Sequence, residues 1–105
     1  MQREELFKFI ELKQKEGLEI IKKKNSDYGA NDDVFANFRM FGEIGFAVRL
    51  SDKLSRMKTL IQRGSAEVKE ESLEDTIIDA SNYCLLLLAY REELRNSKQL
   101  PLLKK

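Results

Sequence analysis

Residues 72–90 read SLEDTIIDASNYCLLLLAY. The stretch is apolar almost all the way round a helical wheel, which predicts a helix that needs neighbours on several faces. Ser-x-x-Asp, Ser72 to Asp75, resembles a capping box with Asp in place of Glu or Gln, so the helix should begin at Ser72. Three polar residues interrupt the apolar surface. At 100° per residue, with Asp75 at the origin, Asp79 falls near about 40° and Asn82 near about −20°. Asp75 has a simple reading as a cap residue favoured by the helix dipole. Asp79 and Asn82 lie further in, where a carboxylate is costly to bury unless it is paired, hydrogen-bonded or bound to a cation.

Working outward, two more long helices are expected. The first spans roughly residues 4–24, with Leu6, Phe9, Ile10, Leu18 and Ile21 at helical spacing. NSDYGANDD, residues 25–33, should end it, because Asn, Ser, Asp and Gly favour turns. VFANFRMF, residues 34–41, reads as a short apolar helix or turn with Asp33 as a possible N-cap, and GEIG, residues 42–45, as a break. The second long helix runs from about Glu43 to Arg63, with Phe46, Leu50, Leu54, Met57 and Ile61 as its core stripe. GSAEVKEE, residues 64–71, is a loop, and the last helix ends near Arg95–Asn96. The expected architecture is all-α: an antiparallel bundle of three main helices plus a short one in a single domain, residues 1–95, with a tail at 96–105. Three helices cover the third one poorly, so a homodimer completing a bundle of six or more helices is expected.

Composition narrows the chemistry. The 105 residues suit one domain, and a formal net charge of +1 with 35% charged residues lacks the basic excess of a general nucleic-acid binder. The first residues, MQREELFKFIELKQ, are too charged for a signal peptide. The longest apolar run, Tyr83–Tyr90, is far short of the roughly 20 residues that span a membrane. No membrane partner and a cytoplasmic location are expected. The chain has no His and one Cys, Cys84, which removes His-based triads and His- or Cys-rich zinc sites. Enzymatic chemistry, if present, rests on carboxylates with Mg²⁺ or Mn²⁺, which prefer oxygen ligands.

The second long helix carries its own polar stripe: Arg49, Asp52, Arg56 and Arg63. One reading is a solvated face with ion pairs Arg49–Asp52 and Asp52–Arg56. The other joins the two stripes. Asp52, Asp75 and Asp79 would then hold a divalent cation, while Arg49, Lys53 or Arg56 meets phosphate oxygens. Tyr28, in SDYG, either caps the core or stacks on a base, and Phe35 and Phe38 are further stacking candidates otherwise read as core.

KKKNSDYG (22–29), RLSDKLSRMKTL (49–60) and ESLEDTIIDASNY (71–83) together resemble the nucleotide modification associated domain family of phages and bacteria. That family is similar to the MazG-like all-α nucleoside triphosphate pyrophosphohydrolases. The resemblance covers roughly residues 15–90. It implies a helical dimer or tetramer that binds Mg²⁺ through acidic residues on two neighbouring helices and cleaves a nucleoside triphosphate between its α- and β-phosphates. On this chain it implies Asp52, Asp75 and Asp79 as metal ligands, Glu71 as a further ligand or the catalytic base, Arg49, Lys53 and Arg56 as phosphate contacts, and Tyr28 and Asn82 at the nucleotide. The chain departs from the family's Glu-x-x-Asp and Glu-x-x-Glu pattern: it has Ser72-x-x-Asp75, Arg49-x-x-Asp52, and a Glu16-x-x-Glu19 on the first helix. A scaffold so altered could bind nucleotides without cutting them. The alternative function is a phage inhibitor that binds a host defence nuclease, in the manner of an anti-CRISPR protein, with the host protein as its partner.

Overall fold

The computed structural model describes residues 1–27, 34–64 and 72–97. It holds four helices, α1 (Arg3–Asp27), α2 (Ala36–Arg39), α3 (Gly42–Arg63) and α4 (Leu73–Asn96), and no strand among the described residues. No described helix is long and apolar enough to cross a membrane. The chain divides into two compact units, residues 1–34 and 35–105.

In the first unit, α1 runs one turn beyond Lys24, through Asn25, Ser26 and Asp27. The Asn-Ser-Asp signal therefore marks the last turn of the helix rather than the loop after it. Its surface is braced by pairs at i and i+3, Lys13–Glu16 at 3.1 Å and Glu19–Lys22 at 3.4 Å. The Lys13 ammonium also lies 5.3 Å from the Phe9 ring centroid. Leu6, Phe9, Ile10 and Leu18 remain exposed along the expected apolar stripe.

In the second unit, α3 and α4 pack side by side, and α2 lies against α3. Contacts between side chains fix α3 and α4 as antiparallel. Glu43 accepts from Arg91, Arg49 meets Tyr83 and Lys53 meets Asp79, so each step forward along α3 is matched by a step back along α4. The helix ends follow local rules. Gly42 starts α3 at φ 61° and Gly64 stops it at φ 80°, a region that glycine enters without strain. The Gly64 N–H donates to the Leu60 carbonyl. Ser72 is the N-cap of α4, its hydroxyl accepting from the Asp75 N–H at 3.0 Å. Phe35 precedes α2 without a side-chain cap. The proposed cap Asp33 lies outside the described residues.

The core is aromatic. Phe46 is fully buried; Phe38 stacks on it at 4.3 Å, and Tyr90 lies 5.5 Å from Phe46 and 5.4 Å from Phe35. Leu94 completes the buried cluster, with Tyr83, Leu86 and Leu87 packed against it. The α3 stripe is rotated from the expected one. Phe46 and Leu60 are buried and Leu50 and Met57 half-buried, whereas Leu54 and Ile61 are 59% and 64% exposed. A helix buries the residues that face its neighbour, and α4 covers one flank of the apolar arc only. At the far end of the seam, Thr76 is also fully buried, its hydroxyl donating to the Ser72 carbonyl at 3.2 Å.

Candidate functional site: the polar seam between α3 and α4

Besides Glu43–Arg91, two neighbouring polar pairs cross the α3–α4 interface among the described residues. Lys53 donates to the Asp79 carboxylate at 3.2 Å, and about three-quarters of each side chain is out of solvent, at 24% and 22% exposure. One turn away on both helices, Arg49 donates to the Tyr83 hydroxyl at 3.3 Å. The same guanidinium lies 6.0 Å from the ring centroids of both Phe38 and Tyr83, within cation–π range. Asn82 is buried beside this seam.

The polar side of α4 is therefore not turned away from the helix packing. Tyr90, Tyr83 and Asp79 recur along the side that meets α3, with Asp79 taking the place of a core residue. Its carboxylate is tolerated there because the ammonium of Lys53 reaches it, its long stem lying along the interface. The sequence reading gives Arg49 two expected partners, Asp52 or a phosphate; in the structure its guanidinium donates to the Tyr83 hydroxyl, a contact that rules out neither.

Of the other expected site residues, Asp52, Asp75 and Arg56 are exposed. Asp75 lies one turn before Asp79 on α4. The antiparallel register sets it level with the turn after Lys53, away from Asp52. Glu16 and Glu19 on α1 each accept from a lysine of their own helix. Tyr28 and Glu71 lie outside the described residues. Asp79 already holds Lys53, and no three acidic or thiol side chains gather around one point among the described residues.

Tyr83 is the site residue that the sequence reading missed. It opens the eight-residue apolar run of α4 and so passes as core. The available signal was its position four residues after Asp79, on the same face, matching the four-residue step from Arg49 to Lys53 on α3. What the assembled seam can do chemically is present two cations and two aromatic rings along one line, with a carboxylate and an amide beside them. No family model, curated protein or solved structure matches the chain.

Proposed function

We propose that the α3–α4 seam binds the triphosphate of a (deoxy)nucleoside triphosphate, and that the chain is a MazG-like nucleotide pyrophosphohydrolase or a nucleotide-binding relative of one. The observation that carries this reading is the neighbouring pair of polar crossings, Arg49–Tyr83 and Lys53–Asp79, set one turn apart on both helices. Lys53 brings an ammonium and Arg49 a forked guanidinium, the two donors best suited to phosphate oxygens. Arg56, one turn further along α3 than Asp52, extends the positive edge. Mg²⁺ or Mn²⁺ belongs to the proposal as the companion of the triphosphate. Asn82 would orient the nucleotide.

The proposal includes a cytoplasmic homodimer. Ile77, Leu85 and Leu88 are exposed on the side of α4 turned away from α3. A second copy laid on that side would bury it and complete the bundle.

The test is a melting-temperature and pyrophosphate-release screen of the common nucleoside triphosphates, with and without Mg²⁺. A ligand that binds only the folded state raises the melting temperature. Asp79→Ala is expected to abolish pyrophosphate release while the helical signal is retained. Unaltered turnover by that variant would remove the seam from the reaction.

A further inference from the structure

The seam has two chemically different ends, and the proposed phosphate seat leaves the aromatic rings at one of them without a role. At the other end stand Phe38, Tyr83 and Arg49. Phe38 is held by stacking on the fully buried Phe46, and Tyr83 packs against the same core, so both rings are fixed by the fold. Arg49 is exposed, yet its guanidinium sits at one distance, 6.0 Å, from both ring centroids. Two anchored rings thus share one planar, solvent-reachable cation. A nucleobase is also a flat π system, and aromatic rings offer it the same stacking surface.

The spacing links this end to the other. Arg49 to Lys53 on α3, and Tyr83 to Asp79 on α4, are both four-residue steps, about 6 Å along a helix. A pentose bridges a base and its first phosphate over a gap of that kind.

We infer that Phe38 and Tyr83 form the seat for the base of the nucleotide, and that Arg49 guards it. The base enters by displacing the guanidinium from the rings. Arg49, one turn from Lys53, then turns to the phosphates. This rests on the reading of the seam as a triphosphate site. It moves base recognition from Tyr28, which lies outside the described residues, to Tyr83. Stacking accepts any base, so the seat takes nucleotides as a class with modest preference among them.

The experiment separates the base end from the phosphate end. Calorimetric titration of the full chain, with Mg²⁺ present, uses two probes: inorganic tripolyphosphate and α,β-methylene deoxynucleoside triphosphates. Tyr83→Leu should weaken the nucleotide analogues by about tenfold or more beyond any change in tripolyphosphate binding. Tyr83→Phe keeps the ring and should spare the analogues that extra loss. Phe38→Leu provides a second route to the same result if Tyr83→Leu unfolds, the melting curve of each variant being recorded. Equal weakening of both probes by Tyr83→Leu, or of neither, overturns the base seat. Tripolyphosphate bound as tightly as the analogues by the wild type also overturns it, while leaving the phosphate reading standing. If the wild type binds neither probe, the phosphate reading itself fails and takes this inference with it.

Discussion

The two sides of α4 mix polar and apolar residues differently. The side that meets α3 carries Asp79, Asn82, Tyr83 and the fully buried Thr76 alongside the core residues Tyr90 and Leu94. The side turned away carries Ile77, Leu85 and Leu88, each with about half or more of its surface in solvent. Asp79 and Tyr83 are held at the interface by cross-helix partners, and Thr76 by the Ser72 carbonyl at the start of its own helix. Burial alone would have placed these residues the other way round. The difference separates two roles on one helix: the inner side sets a chemical pattern, and the outer side exposes apolar surface.

Four substitutions break or sharpen that contrast. The largest effect belongs to the aromatic core that both roles rely on. Phe46→Ala should cost about 3–5 kcal/mol of stability, read from urea unfolding, because the ring is fully buried and its neighbours are rings too rigid to fill the gap. Next is the outward side. If the proposed homodimer forms through this side, Leu88→Glu should yield monomer in sedimentation and cost about 2 kcal/mol per protomer. A wild type already monomeric, with Leu88→Glu neutral, would mean that this side simply faces water. On the inner side, Lys53→Met leaves the Asp79 carboxylate without its ammonium. A loss of about 1 kcal/mol is expected, between the values for exposed and buried pairs. Smallest is Arg49→Gln. Its side chain is exposed, so stability should move by less than about 0.5 kcal/mol. Tripolyphosphate affinity should fall clearly. An Arg49→Gln variant that binds tripolyphosphate normally would reduce the Arg49–Tyr83 contact to packing.

The helices were legible in the sequence wherever the signal is local. Ser72 caps α4 as expected because a hydroxyl meets a backbone N–H three residues on, whatever else surrounds it. Gly64 ends α3 for an equally local reason. What was not legible was rotational phase. The stripe from Phe46 through Ile61 spans a wide arc, and only the position of α4 decides that Leu60 is buried and Ile61 is not. The site shows the same division. Asp79 and Lys53 could each be singled out as residues needing an explanation, but that each explains the other depends on the antiparallel register. Tyr83 looked like the start of an apolar run until Arg49 arrived beside it.

Cys84 is the only thiol in the chain, and it is exposed within the outward side of α4. The molecule therefore carries its own reporter at the surface whose fate is in question. A maleimide that labels the unaltered protein quickly when dilute and slowly when concentrated would show that side closing. The rate against concentration would yield the association constant with no residue changed.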